Sequence, residues 1–179
     1  MTMPGMDPVV PQDEECLLGD PAAADAALDR LEVWADGTWR LTMALRSELL
    51  GFSYLEPRRH VSHIEDLDGE EARTFGQALA LAAAALKQQT AAELVFLYVF
   101  GEGIPHLHVH LAPHRAGDAL NTQILRGEFV ERPLPSGATE YLSKDFPLLD
   151  ELELRALADR VQGQLQGVST GRRAAEGSS

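Results

Sequence analysis

Apolar and polar residues alternate along short segments in the first third of the chain, at the two-residue period of a half-buried strand. Leu31–Ala35 and Thr38–Leu45 flank Asp36-Gly37, a pair typical of a tight hairpin turn. A third strand is predicted over Phe52–Glu56, after Gly51. Upstream, Asp20-Pro21 is a typical helix start and predicts a short helix over residues 21–30.

The period then changes to three and four residues, which is typical of a helix with one buried face. Asp68 is the predicted N-cap and Glu71 completes a capping-box pattern. The apolar positions that follow are Ala72, Phe75, Leu79, Ala82, Ala83 and Leu86. Two more strands are predicted after this helix. Leu94–Phe100 is almost continuously apolar, which favours burial on both faces, and His106–Pro113 alternates.

The last third of the chain shows less pattern. Residues 114–145 are predicted to be irregular, and Pro147–Leu165 to form an acidic helix. We therefore predict a flexible arm over residues 1–15 and a single domain over 16–166, with a core over 31–114 and an extension over 115–166. Residues 167–179 are predicted to form a disordered tail.

Composition and charge exclude several classes of protein. The 179 residues carry a formal charge of −13, which disfavours a nucleic-acid binder because such proteins need a basic face. No apolar run is long enough to cross a bilayer, and residues 1–11 lack the features of a signal peptide, so we expect no membrane partner and a cytoplasmic location. Cys16 is the single cysteine, so a disulfide within the chain is excluded.

All six histidines lie in two short segments, His60–His63 and His106–His114. In a strand, His106, His108 and His110 would form a row on one face, with apolar residues on the other. Such a row can bind a metal ion, since imidazole is the commonest metal ligand. It can equally supply a nucleophile and its helpers, because an imidazole nitrogen can attack phosphorus. The pattern leaves both possibilities open.

The segment His106-Leu107-His108-Val109-His110-Leu111-Ala112 resembles the motif of the histidine-triad (HIT) family, in which histidines alternate with apolar residues. Upstream, Pro57-Arg58-Arg59-His60-Val61 resembles the family's Pro-Lys-(Lys/Arg)-His-Val segment. The resemblance covers about residues 31–114. It implies an α+β fold, with an antiparallel sheet of about five strands and a long packed helix, here followed by a C-terminal helical extension.

The resemblance also implies a function. HIT proteins bind a nucleotide and hydrolyse or transfer its α-phosphate through a nucleotidyl-histidine intermediate, without a cofactor, and they are usually homodimers. By position, His108 would be the nucleophile and His110 would contact the phosphate and assist the leaving group. His106 and His60 would orient the other two histidines. The expected substrate is an AMP-type nucleotide, and the expected bond is a phosphoanhydride, phosphoester or phosphoramidate.

The chain departs from the family pattern in the loop before the triad. Gly101, Glu102 and Gly103 occupy the expected phosphate-binding positions, but Glu102 replaces a Gln and Gly103 a Ser or Thr. A carboxylate there would repel a phosphate, whereas the backbone N–H groups of the glycines could still bind it. Arg58, Arg59 and Arg115 are the cations nearest the histidines in sequence, and Arg59 and Arg115 are candidate substrate ligands.

The altered loop and the additional histidines, His63 and His114, keep two alternatives open. One is a metal-dependent enzyme on the same scaffold, with His60, His108 and His110 holding a divalent ion such as zinc. The other is a nucleotide-binding protein with little turnover. The apolar strand Leu94–Phe100 and the helix face of Phe75 and Leu79 further predict a homodimer.

Overall fold

The computed structural model describes residues 18, 20–99, 104–118, 129–133 and 139–176. The α-helices within this part of the chain are α1 (Pro21–Ala27), α2 (Gly69–Thr90) and α3 (Glu151–Glu176). The strands are β1 (Arg30–Ala35), β2 (Trp39–Ala44), β3 (Ser53–Pro57), β4 (Leu94–Tyr98), β5 (Val109–His114), β6 (Phe129–Pro133) and β7 (Thr139–Ser143). The N-terminal arm that the sequence predicted lies outside the described residues.

Five strands form one antiparallel sheet in the order β1-β2-β3-β5-β4. This confirms the predicted α+β class and the five-stranded sheet. The Asp36-Gly37 turn closes the first hairpin, where the Asp36 side chain accepts hydrogen bonds from the backbone N–H groups of Thr38 and Trp39. At Asp20, the side chain caps α1 as predicted, by accepting from Ala22 and Ala23.

The hydrophobic core lies between one face of the sheet and the two long helices. Its centre is built from alternate strand residues and one face of each helix, including Trp39, Leu41, Leu55, Leu86, Val109, Leu111, Leu157, Val161 and Leu165. The opposite face of the sheet carries polar and aromatic side chains, because successive residues of a strand point to opposite sides. That second face holds the histidines.

The C-terminal helix is longer and more central than predicted. Residues 167–176 continue α3, which corrects the disordered tail predicted from residue 167. Three α3 leucines, Leu154, Leu157 and Leu165, are fully buried. The extension is therefore part of the core, and residues 31–114 alone do not complete it.

Two further predictions are wrong. β4 is not buried on both faces: it lies at the edge of the sheet, with Leu94 and Leu97 exposed at 42% and 45%. Residues 114–145 are not wholly irregular, because β6 and β7 form a two-stranded antiparallel sheet. Among the described residues, no helix is both long enough and apolar enough to cross a membrane.

The start of α2 also differs from the prediction. Asp68 precedes the helix but makes no side-chain capping hydrogen bond. Its carboxylate instead pairs with Arg59, which also binds Glu71. The two acidic residues that suggested a capping box thus attach the segment before His60 to the helix start.

Candidate functional site

The histidines lie on the polar face of the sheet, where β3, β5 and β4 run side by side. Tyr54 of β3 and Tyr98 of β4 each lie directly opposite His110 of β5. Directly opposed residues of an antiparallel pair share a face, so the two tyrosines flank His110. His106 and His108 precede β5, which begins at Val109 rather than at His106 as predicted.

The hydrogen bonds of His108 fix which ring nitrogen carries the proton. Nδ1 of His108 lies 2.6 Å from the carbonyl oxygen of His106. A carbonyl can only accept, so Nδ1 is the donor and carries the hydrogen. Nε2 of the neutral ring then holds a free lone pair. The ring is mostly buried, with 7% of the residue exposed.

His110 is fixed in the same tautomer by a neighbouring strand. Its Nδ1 donates to the carbonyl oxygen of Tyr98 at 3.2 Å. The ring of His110 stacks on that of Tyr98, with centroids 5.3 Å apart and planes at 23°, and meets Tyr54 edge-on at 5.2 Å. The rings of His108 and His110 are 5.1 Å apart. Two imidazoles whose Nδ1 atoms both donate to backbone carbonyls are thus held side by side.

His106 and His60 form the second part of the cluster. Nε2 of His106 donates to the carbonyl oxygen of Pro57 at 3.0 Å, which joins the motif to the end of β3. The rings of His60 and His106 meet edge-on at 5.4 Å. The Ser62 hydroxyl lies 3.3 Å from Nε2 of His60, whose Nδ1 is buried without a hydrogen-bond partner. His106 therefore ties the two histidine segments together.

Burial keeps the three histidines of the motif neutral. It is the largest cause that lowers the pKa of His106, His108 and His110, because a low-dielectric surrounding disfavours the charged imidazolium. For His110 the pKa falls to about 4, with His108 and the Arg30 guanidinium lowering it further. At neutral pH all three rings are therefore free of the extra proton that would block a nucleophile.

A network of buried ion pairs, which the sequence analysis missed, lies on the same face. Glu56 is 1% exposed in its side chain and accepts from Arg30 at 2.7 Å, while Arg40 approaches it at 3.6 Å. Asp25 of α1 binds Arg40 at 2.5 Å. Burial raises the pKa of the Glu56 carboxyl, and the two guanidinium groups oppose that rise. The sequence feature that could have indicated this network is the polar residues at alternate positions of β2 and β3.

Two of the candidate cations, Arg59 and Arg115, are bound by other groups of the chain. Arg59 is engaged by the carboxylates of Asp68 and Glu71. Arg115 follows the end of β5 and donates to the carbonyl oxygen of Thr90 at 3.5 Å. It lines a cavity of about 260 Å³ together with residues that include Thr90, Pro113, Asp118 and Phe146. Gly101, Glu102 and Gly103, the predicted phosphate-binding loop, lie outside the described residues, as does Cys16.

The two additional histidines also lie apart from the motif. His63 is exposed and precedes a short 3-10 turn, Ile64–Asp66. His114 ends β5 and lies 2.9 Å from the carboxylate of Asp118. Across the described ranges, no three His, Cys, Asp or Glu side chains are arranged to hold a metal ion, and the alternative set His60, His108 and His110 does not converge on one point.

Comparison with known proteins rests on structure. No family model matches the sequence, and no curated protein matches it. A histidine triad protein from Bradyrhizobium japonicum superposes with a TM-score of 0.57 at 21% identity, over 76% of this chain and 91% of that one. The chain has the histidine-triad fold.

Two other solved structures with this fold extend the comparison. A Zn-bound histidine triad family protein from Mycobacterium smegmatis gives a TM-score of 0.58 at 18% identity, over 87% of this chain and 99% of that one. A hypothetical histidine triad nucleotide-binding protein from Sulfolobus tokodaii gives 0.57 at 16%, over 87% and 93%. The histidine-triad fold thus accounts for nearly the full length of these neighbours, and the predicted resemblance is confirmed at the level of fold.

Proposed function

We propose that this protein binds an AMP-type nucleotide and hydrolyses or transfers its nucleotidyl group through a covalent intermediate on His108. The observation that carries the proposal is the hydrogen bond from Nδ1 of His108 to the carbonyl oxygen of His106. It leaves Nε2 unprotonated in a buried ring, which is the form in which an imidazole attacks phosphorus. The neighbour from Sulfolobus tokodaii, named a nucleotide-binding protein, supports a small nucleotide as the ligand.

The reaction takes two steps in this proposal. First, Nε2 of His108 forms a bond to the α-phosphorus, and the bond from phosphorus to the leaving oxygen or nitrogen breaks. The leaving group keeps that electron pair and takes a proton from Nε2 of His110, which acquires this proton from solvent when the anionic substrate beside it raises its pKa. Then water, or another acceptor, attacks the phosphorus, and the electron pair of the P–N bond returns to His108. The acceptor's proton returns to His110.

The other histidines have supporting roles in this scheme. His106 supplies the carbonyl that orients His108, and its own ring is anchored on Pro57. His60 packs against the ring of His106 and supports it from the β3 side. We assign phosphate contact to the loop of Gly101, Glu102 and Gly103, whose backbone N–H groups would stabilise the negative charge that develops at phosphorus.

Trapping the intermediate tests the mechanism. The protein is mixed with an adenosine 5′-phosphoramidate, quenched within milliseconds to seconds, and digested for mass spectrometry. We expect an added adenylyl mass on the peptide that contains His106–His114. His108→Ala should lose the adduct and the turnover but keep nucleotide binding, because backbone donors and pocket walls remain. His63→Ala is the matched control, since His63 is an exposed histidine next to the same segment, and it should retain both.

Three results would overturn the proposal in different ways. Full turnover by His108→Ala would remove His108 as the nucleophile. Turnover that stops with a chelator, returns with zinc and never yields an adduct would favour the metal-dependent alternative. Binding of AMP by the wild-type protein without turnover of any phosphoanhydride, phosphoester or phosphoramidate donor would favour the binding protein.

We further propose that the protein is a homodimer joined through β4. This strand lies at the edge of the sheet, where backbone N–H and C=O groups can pair with a second strand. Its exposed apolar residues are Leu94 and Leu97, followed by Val99 at 39%. The helix face of Phe75 and Leu79, which also suggested a dimer, packs instead against the core of its own chain. Light scattering at micromolar concentration should give twice the chain mass, and Leu97→Lys should halve it. A wild-type monomer would contradict this.

A further inference from the structure

A line of side chains crosses the polar face of the sheet, from β1 to β4. The guanidinium carbon of Arg30 lies 3.6 Å from the centre of the Tyr54 ring. The rings of Tyr54 and His110 meet edge to face with centroids 5.2 Å apart, and His110 stacks on Tyr98 with centroids 5.3 Å apart. A charged group in the first strand is therefore in contact, through one aromatic ring, with a histidine of the motif.

The register of the sheet explains why this line can form. Tyr54 lies opposite His110 on one side and opposite Thr42 on the other. Thr42 is small and fully buried, and Arg30 lies one strand further, opposite Ala44. A long side chain from β1 can cross β2 only over small residues, and Thr42 and Ala44 provide that passage. The guanidinium group of Arg30 thus reaches the ring of Tyr54.

Arg30 is held firmly in this position. Its side chain is 6% exposed and its guanidinium group donates to Glu56, which is 1% exposed, at 2.7 Å. A buried pair of this kind is costly to break, because either partner would leave the other as an uncompensated charge. Arg40 adds a second cation to Glu56 and is itself bound by Asp25. The guanidinium group above Tyr54 therefore has little freedom to move away.

We propose that Arg30 is a positioning residue, which presses the Tyr54 ring against His110 and so fixes the orientation of that imidazole beside His108. The inference rests on the function proposed above, in which His110 acts next to the nucleophile. The cation–π contact stabilises Tyr54 in one rotamer, and the edge-to-face contact of Tyr54 passes this restraint to His110. The Arg30 guanidinium also contributes to the lowered pKa of both His108 and His110, after burial.

A matched pair of variants separates positioning from mere stabilisation of the fold. Arg30→Met removes the contact with Tyr54 and leaves Glu56 paired with Arg40. Arg40→Met leaves Glu56 paired with Arg30 and keeps the contact with Tyr54. Each variant therefore removes one buried cation from the same carboxylate. Tyr54→Leu removes the ring that carries the restraint, whereas Tyr54→Phe keeps it, and these two serve if Arg30→Met fails to fold.

The primary measurement is the tautomer of His110, read from long-range ¹H–¹⁵N NMR spectra of the full chain without nucleotide. We expect a single Nδ1–H tautomer in the wild-type protein, in Arg40→Met and in Tyr54→Phe. Arg30→Met and Tyr54→Leu should show averaged ring-nitrogen shifts from two tautomers. The double variant Arg30→Met/Tyr54→Leu should show no more averaging of the ring-nitrogen shifts than Tyr54→Leu, because Arg30 acts through that ring. An unchanged His110 spectrum in Arg30→Met, or in Tyr54→Leu where Arg30→Met does not fold, would overturn the proposal.

Turnover provides the second measurement. With an adenosine 5′-phosphoramidate as substrate, kcat of Arg30→Met should fall about tenfold with KM changed less than about twofold, as expected when a catalytic group is misplaced but binding is kept. Arg40→Met should stay close to the wild-type kcat. If the wild-type protein turns over no AMP donor, the proposed function fails, while the NMR comparison still decides whether Arg30 positions His110.

Discussion

Nδ1 of His108 lies 2.6 Å from the carbonyl oxygen of His106, two residues earlier in the same chain. The backbone of the motif thus sets the tautomer of its own central histidine, and Nε2 is left with the lone pair. The apolar residues between the histidines contribute to this arrangement, since Leu107 and Val109 are buried at 2% exposure each and hold the segment against the core.

The pH dependence of turnover should reflect this buried ring. Burial lowers the pKa of His108 below the usual 6.5, so the neutral nucleophile persists at lower pH than a solvent-exposed imidazole would allow. We expect kcat/KM for an AMP donor to remain on its plateau at pH 6.5 and to fall only in more acidic buffer. An acidic limb with its midpoint at or above pH 6.5 would contradict the neutral buried state of His108.

Stability should fall on acidification because of His110. Its folded pKa is about 4, whereas the pKa of an ordinary histidine is 6.5, so the unfolded chain binds the proton first as the pH drops. The stabilising contribution is fully present above pH 6.5 and is lost as the pH falls toward 4. Between pH 7.5 and pH 5 this amounts to about 2 kcal/mol for an isolated site.

Urea unfolding of His110→Phe and of the wild-type protein measures how much His110 contributes to the pH dependence of the unfolding free energy. The variant should lose less unfolding free energy than the wild type over the same pH interval, by about 2 kcal/mol. Glu56 acts in the opposite direction, since its raised pKa makes it bind a proton more readily when folded, but it is present in both proteins and cancels. Equal pH slopes for the two proteins would show that His110 is not buried in its neutral form.

Removing the charge of Glu56 should be far more damaging than removing that of a neighbouring carboxylate. Glu56→Gln leaves Arg30 and Arg40 without their shared buried partner, and we expect a loss of about 3 kcal/mol. Glu32 also lies near Arg40, at 3.4 Å, but its side chain is 42% exposed. Glu32→Gln should therefore cost less than about 1 kcal/mol. Similar losses for both variants in chemical denaturation would mean that Glu56 is not buried in the ion network.

Two glycines should respond oppositely to alanine. Gly51 has a φ of +83°, and a Cβ there would lie 2.8 Å from Cγ2 of Thr90, which is buried and β-branched. Gly51→Ala should destabilise the fold by about 1–3 kcal/mol. Gly76 lies within α2 with nothing within 4 Å of its added Cβ. Gly76→Ala should stabilise by up to about 1 kcal/mol, since alanine is the better helix former. Equal shifts in melting temperature for the two variants would contradict the close contact and backbone strain expected at Gly51.

Local sequence patterns predicted much of the fold, because many of its elements are determined by residues that are close together in the sequence. The Asp36-Gly37 turn, the helix start at Asp20 and the apolar period of α2 each depend on neighbouring residues only, and the structure contains all three. The edge position of β4 depends on the order of strands in the sheet. An apolar run does not distinguish an edge strand that faces a partner from a buried central strand.

The site was predictable only in part for the same reason. The clustering of histidines, and their resemblance to the triad motif, indicated where the chemistry lies. Arg30, Tyr54 and Glu56 come from separate strands, and their contacts with one another or with His110 depend on register. Arg59 was predicted as a candidate substrate ligand, and in the structure acidic residues nine and twelve positions later bind it. Charge in a sequence does not reveal which counterion a folded side chain will meet.

The burial of α3 has a consequence for how the chain is made. Leu157, Val161 and Leu165 complete the core that β2, β3 and β5 begin, yet they are synthesised after all of these strands. Until then, the nascent sheet would present its apolar face to chaperones and to other nascent chains. We expect a ribosome-stalled chain ending before residue 150 to remain sensitive to protease throughout β1–β5, and protection to arise in one step once α3 has emerged. The strands that carry the histidines would then reach their folded state only after α3 has been synthesised.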